Sequence, residues 1–350
     1  MSSVHKKVFL TGATGFLASH VLELLVARGY NVKVSVRSQP KADYILAKYS
    51  GKPVEAVIVP DIQEEHAFDA ALQGDKDITA VLHTASPFFT AKTDPFKELL
   101  DPAIKGTTNV LKAIKQYAPQ VSQVIVTSSY AAIVNIDKQN DPTFVHDEST
   151  WSNLTWEQAT TDLASSYRGS KKFAEKAFWD FIEQEKPNFT GTTVNPPLIY
   201  GPLLQKVDSI DKINTSSKVV YDILHNKEAE DPLTYSEALG LWVDVRDVAL
   251  AHVVPLEKPA EAAGRRLFTA PGYSSGQDIL DIANENFPEL KGKIPVGKPG
   301  TGQRNVDKYT KLDISKTTDF LGIKYITLEK SIVDTIKTLL EIDREQGVTF

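Results

Sequence analysis

The segment Thr11-Gly12-Ala13-Thr14-Gly15-Phe16-Leu17-Ala18 stands between an apolar run ending at Leu10 and a stretch, residues 15–28, with helical periodicity. A glycine turn joining a strand to a helix near the start of a chain restricts the fold sharply, because it belongs to the first crossover of a parallel, helix-covered sheet. Gly12 permits the tight turn, Gly15 lets the backbone approach a phosphate, and Ala18 fills the third small position, where the helix packs on the strand. The spacing Gly-x-x-Gly-x-x-Ala is shorter than the common dinucleotide fingerprint, yet its strand–turn–helix context assigns Gly12, Thr14, Gly15, Phe16 and Leu17 to a nucleotide pyrophosphate.

The rest of the chain keeps the same rhythm. Candidate strands at 7–10, 31–36, 54–59, 78–84, 121–127 and 190–195 alternate with helical periodicity at 15–28, 64–72, 95–117 and 165–184, and Gly29 is placed to end the first helix. This predicts an α/β fold: a Rossmann-type doubly wound parallel sheet with a smaller C-terminal α/β substrate lobe. Asn195-Pro196-Pro197 breaks the pattern, and Pro and Gly are frequent in residues 288–302. Residues 1–195 are therefore expected to form the dinucleotide-binding domain, with returning segments near 240–257, and residues 196–350 mainly the interleaved substrate lobe.

Composition narrows the function. With 350 residues, 41% of them hydrophobic, there is enough apolar surface for a large core. A net charge of −6 leaves no electrostatic footprint for nucleic acid. Zero cysteines exclude disulfides and thiolate chemistry. No apolar run approaches the roughly 18 residues of a membrane span, and Met1 to Leu10 leaves no room for a cleavable signal. A cytoplasmic chain with no membrane partner is expected, in which the sequons Asn153-Leu154-Thr155, Asn188-Phe189-Thr190 and Asn214-Thr215-Ser216 carry no meaning. The seven histidines show no ligand spacing, so no metal is expected and His83 is read as a core histidine.

Cofactor choice is set about 20 residues beyond the glycine turn, where an acid would hold a ribose hydroxyl and a base would accept a 2′-phosphate. Between Tyr30 and Ala42 there is no acid, whereas Arg37 and Lys41 follow the second strand; NADPH is favoured over NADH. Asp61 and Ile62 follow the third run and Thr84-Ala85-Ser86 the fourth, at the strand ends where ligands bind. Asp61 either accepts from the adenine amine or caps the next helix.

Chemistry enters with Thr127-Ser128-Ser129-Tyr130 after the fifth run and with Tyr167 and Lys171, four positions apart on one helix face. A phenol with an ordinary pKa near 10 exchanges protons poorly at neutral pH. Lys171 is expected to favour its phenolate, or to hold ribose hydroxyls, while a serine hydroxyl steadies the substrate carbonyl. Lys172 is one residue out of phase.

These stretches, with Val36-Arg37-Ser38-Gln39, Leu82-His83-Thr84-Ala85-Ser86-Pro87-Phe88, Gly169 to Lys176, Asp244 to Ala249 and Ile294 to Gly300, resemble the extended short-chain dehydrogenase/reductases of the dihydroflavonol-reductase-like group. Within that group the resemblance is greatest to fungal NADPH-dependent methylglyoxal (3-methylbutanal) reductases. The resemblance implies NADPH-dependent reduction of aldehydes and ketones, with hydride from the pro-S face, Ser129 orienting the carbonyl, Tyr167 as acid and Lys171 as its partner. It also implies cofactor contacts from Pro196, Leu198 and Ser216. Pro197 and Tyr200 fall where relatives vary in the residues facing nicotinamide and substrate. Phe88, Tyr130 and Trp242, with Phe89, either line an apolar substrate pocket or are ordinary core. A nucleotide-sugar epimerase and a non-catalytic NADP-binding regulatory protein are the rival readings; a monomer or homodimer is expected.

Overall fold

Val8, Phe9 and Leu10 are fully buried in β1 (Lys7–Thr11), which pairs in parallel with β2 (Asn31–Val36) on one side and β4 (Ile78–His83) on the other. A parallel strand buried on both faces has no solvated side, hence the unbroken apolar run. A computed structural model describes residues 7–86, 96–226 and 229–348; the candidate pocket residue Phe88, with Phe89, lies outside the described residues.

Strands Arg266–Phe268 and Thr190–Asn195, then β5 (Gln123–Thr127), β4, β1, β2 and β3 (Val54–Ile58), form one seven-stranded sheet in that order. Every pairing is parallel. The chain winds outward from β1 to β3 and then returns to β4 on the other side of β1, so the crevice of a doubly wound sheet opens at the carboxyl ends of β1 and β4. This is the expected fold class.

α1 (Phe16–Ala27), α4 (Asp101–Tyr117) and α5 (Leu163–Glu185) occupy the periodic stretches. Elsewhere the structure departs from expectation. α2 (Gln39–Lys48) was not anticipated, because it buries only Ala42 and Ile45 and so carries almost no apolar stripe; Ser38 at its N-cap and Pro40 in its first turn are its signals. The helix expected over 64–72 shrinks to α3 (Asp69–Leu72), since His66 has φ +69° and Asn109 Nδ2 takes the carbonyls of Ile62, Gln63 and Glu64 at 3.0–3.2 Å. A π-helical turn, Phe96–Leu100, precedes α4.

The chain divides into two compact units. One takes residues up to Asp137, His146–Asn195 and Ala249–Phe268, and holds the seven-stranded sheet. The other takes Lys138–Val145, Pro196–Val248 and the chain from Thr269 onward. Its sheet places strand Ala238–Asp244 between Gly272–Ser275, antiparallel, and Leu198–Tyr200, parallel. The segment returning to the first unit is Ala249–Phe268, which overlaps the expected 240–257 over residues 249–257 and extends beyond it. Among the described residues no helix is long and apolar enough to cross a membrane.

Candidate active site

Gly12 has φ +73°, and a Cβ there would stand 3.1 Å from Cα and Cβ of Ala85. Both facts require glycine, because this turn runs against the end of β4. Thr11 makes the junction: its Oγ1 accepts the N–H groups of Thr84 at 3.1 Å and Ala85 at 3.0 Å and meets His83 Nδ1 at 3.0 Å. With both lone pairs used, the Thr11 hydrogen goes to Nδ1, which leaves the imidazole proton on Nε2. Burial, helped by the charge of Lys171, pushes His83 down to about 4, so it stays neutral. Thr84 Oγ1 donates to the Thr11 carbonyl at 2.5 Å.

The turn's own amides are largely spoken for: Gly12 and Ala13 donate to the Ser35 carbonyl and Gly15 to that of Gly12. The first intrahelical bond of α1 is Ser19 N–H to Gly15, and Gly15 as N-cap brings no side chain. The N–H groups of Phe16, Leu17 and Ala18 therefore have no intrahelical acceptor and project at the positive end of α1. A turn that requires glycine, leading into uncapped amides, fits a dinucleotide pyrophosphate. Thr14, Phe16 and Leu17 are half-buried around it.

Arg37, directly after β2, and Lys41, in the first turn of α2 and not in a loop, are both exposed. Asp61 is exposed, with Oδ1 accepting the Gln63 N–H at 2.9 Å in a local turn; it does not cap the next helix, which begins only at Asp69. Ile62 is buried against Gly106.

Asp162 caps α5 by accepting the Ser165 N–H at 2.9 Å. Tyr167, Lys171 and Glu175 follow at intervals of four on one stripe of this helix. Lys171 is half-buried; its Nζ donates to Ser86 Oγ at 3.0 Å and lies 5.9 Å from the Tyr167 ring centroid. Ser129, after β5, accepts the Ala131 N–H at 3.1 Å and is hydrogen-bonded to the Tyr167 hydroxyl. His83, Ala85, Ser86, Ser128, Lys171 and Glu175 line a narrow cavity at the same strand ends.

Here the expected electrostatics need correction. Burial pushes the Tyr167 phenol above its ordinary value, and the bond from Ser129 only partly offsets this. Lys171, also stripped of water, is itself drawn down to about 8. Sharing a helix face brought the groups together without making the phenol acidic, because loss of solvation outweighs the Ser129 hydrogen bond, and the Lys171 Nζ is engaged with Ser86.

Among the remaining candidates, Tyr130 stacks on Phe268 with centroids 5.5 Å apart. Pro196 is buried, and Pro197 and Leu198 are half-buried. Tyr200 is fully buried, its hydroxyl 3.3 Å from Ser274 and pushed up to about 12 by burial, which makes it a core side chain of the second unit and not an open pocket wall. Trp242, buried in the same sheet, holds the core alternative. Ser216 Oγ donates to the Ile199 carbonyl at 2.5 Å and accepts Asn214 Nδ2 at 2.9 Å, tying helix Thr215–His225 to strand Leu198–Tyr200.

Residues 8–269 match the NAD dependent epimerase/dehydratase family. The chain belongs to that family of extended short-chain dehydrogenase/reductases. It is 42% identical over 341 residues to the NADPH-dependent methylglyoxal reductase of Saccharomyces cerevisiae, covering 96% of this chain and 98% of that one. A ketoreductase of Aspergillus niger is 40% identical over 345 residues, covering 97% and 99%. The solved structure of yeast methylglyoxal/isovaleraldehyde reductase complexed with NADPH superposes with a TM-score of 0.89 at 39% identity, covering 98% of this chain and 100% of that chain.

In this family member the site has a further layer that sequence reasoning missed: Glu175, Asn195 and Arg266, all buried. Glu175 was visible as the next position on the Tyr167–Lys171 stripe. Arg266, on a three-residue strand, had no local signal.

Proposed function

We propose that this chain is a cytoplasmic NADPH-dependent reductase of aldehydes and ketones of the methylglyoxal, 3-methylbutanal or aryl-ketone type. It acts as a monomer or homodimer and uses no metal, and residues 196–350 set its substrate range. One observation carries the reading: a phenol kept protonated by desolvation is hydrogen-bonded to a serine hydroxyl, one helical turn from a half-buried lysine, at the sheet end that bears the glycine turn.

NADPH, when bound, supplies the hydride. Ser129 and Tyr167 direct their hydroxyls at the carbonyl oxygen, where charge develops as the carbon is reduced; donors fixed before reaction favour the transition state over the ground state. Since its proton is retained at neutral pH, Tyr167 is in the state a proton donor needs and gives that proton to the oxygen. Lys171, cationic below about 8, then faces the phenolate left behind and stabilises it.

Initial rates for methylglyoxal, 3-methylbutanal and bulky aryl ketones with NADPH and NADH test this reading. Carbonyl-dependent oxidation of NADPH is expected; interconversion of nucleotide sugars without net cofactor consumption, or no turnover of any carbonyl, overturns it. Tyr167→Phe should cut kcat by about 100-fold or more while dinucleotide affinity, read by fluorescence titration, stays nearly constant. Full turnover in that variant would remove Tyr167 from the chemistry.

A further inference from the structure

Glu175 is a buried carboxylate at the centre of a polar cluster. Ser128 Oγ donates to its Oε2, as does Asn195 Nδ2 at 2.6 Å; Trp179 Nε1 at 3.3 Å, Thr193 Oγ1 at 3.2 Å and Arg266 Nε at 2.5 Å converge on Oε1. A carboxylate removed from water is tolerated only when paired and hydrogen-bonded, and this one has a single buried guanidinium beside it.

The ties run onward to one short segment, Ser128–Ala132, which carries the candidate catalytic serine. Ser128 is held by its side chain. The Ser129 carbonyl accepts Asn195 Nδ2 at 3.1 Å. The Ala132 carbonyl accepts Arg266 Nη2 at 3.1 Å. Arg266 is itself fixed by the carbonyls of Thr150 at 2.5 Å and Glu148 at 3.2 Å, and by the Trp151 ring 3.8 Å from its guanidinium carbon. The same carboxylate rides on α5 four residues beyond Lys171 and eight beyond Tyr167. It thereby connects the helix that carries the phenol to the turn that carries the serine.

We propose that Glu175, Asn195 and Arg266 are positioning residues that fix the Ser129 hydroxyl against Tyr167. Asn195 is the direct link to the serine's main chain, and the Glu175–Arg266 pair is its anchor. None of the three acts on substrate or hydride. The role follows from geometry: the Asn195 amide spans the carboxylate and the Ser129 carbonyl, so freeing either end removes the tie that acts on the Ser129 main chain itself, while the ties at Ser128 and Ala132 hold only the residues to either side. A displacement of about 1 Å at a reacting group costs on the order of a hundredfold in rate.

This inference rests on Ser129 being the carbonyl-orienting hydroxyl, and the test separates the two claims. Asn195→Ala leaves the Glu175–Arg266 pair in place and is the main variant; Glu175→Gln, which keeps the volume and removes the charge, is the second. Each is assayed alone and combined with Ser129→Ala, with circular dichroism and NADPH titration as controls. Expected are a fall in kcat of about 10- to 100-fold for Asn195→Ala with NADPH affinity unchanged, and almost no further fall when Ser129 is already alanine, because residues acting through one group are not additive. Wild-type kcat in Asn195→Ala, or an equal fall in both backgrounds, overturns the positioning role. If Ser129→Ala alone retains full turnover, the proposed role of Ser129 itself fails, and the inference with it.

Discussion

At the scale of single residues, desolvation decides the protonation states. It draws Lys171 down to about 8 and lifts the Tyr167 phenol, and in the second unit it raises Asp247 to about 6, aided by Asp244 and opposed by Arg246 and the Ile326 N–H. That last shift has a consequence for stability. A carboxyl whose folded value lies above its unfolded one holds more protons when folded, so its contribution falls as pH rises from about 4 to about 6, and the cost is fully present above that range. Asp247→Asn retains an oxygen for the Ile326 N–H, which donates at 2.9 Å, and sheds the buried charge. The variant should be more stable than the parent by about 2 kcal/mol at pH 7.5, with the gap closing near pH 4, as read by urea denaturation. A constant gap across that range would show that charge is not the cause. The sequence alone did reveal that Tyr167 and Lys171 share a face, because helical spacing is a local property. It did not reveal which of burial and attraction prevails, because burial is contributed by chain segments far away in sequence.

At the scale of elements, α5 is brought against the one-turn helix Gln158–Thr160 by a glycine, and its stripe of functional side chains depends on that approach. A Cβ on Gly169 would collide with the Ala159 Cβ, which has no flexible end to move aside. In an open helix, glycine to alanine gains about 1 kcal/mol of propensity; overpacking of a tight contact costs about 1–3 kcal/mol. Gly169→Ala should therefore come out destabilising by about 1 kcal/mol and lower kcat by displacing Tyr167 and Lys171 to either side of it. A more stable variant with full activity would mean that the helix can shift freely. Legibility from sequence follows the same division. β1 to β5 were visible because buried parallel strands are rich in apolar residues; strand Thr190–Asn195, Thr-Gly-Thr-Thr-Val-Asn, was visible by its β-branched residues instead. α2 was not, because two buried residues make no stripe. Strands Leu198–Tyr200 and Arg266–Phe268 were too short to show a period, although the second closes the sheet edge and delivers Arg266 to Glu175.

For the whole molecule, the first unit is assembled from three separate stretches of chain, so a ligand seated on its glycine turn stabilises segments far apart in sequence. A dinucleotide present at about 100 times its Kd adds about 2.7 kcal/mol to the stability of whatever unfolds with the site. With an unfolding entropy of about 2.1 cal/mol/K per residue, that raises Tm by about 4 °C if the entire chain melts together, and by about 6 °C if only the roughly 200 residues of the first unit do. Calorimetry with NADPH thus measures both binding and the size of the cooperative unit. Exposed Arg37, just past the end of β2 in a stretch without acids, is the residue we propose for the selectivity: its guanidinium suits a 2′-phosphate that NADH lacks. At equal dinucleotide concentration NADPH should shift Tm more than NADH, and Arg37→Ala should reduce the NADPH shift to about the NADH value while leaving the NADH shift intact. Equal shifts from the two dinucleotides in the parent protein, or an equal loss of both in the variant, would take Arg37 out of phosphate recognition and leave the preference for NADPH to be carried elsewhere in the site.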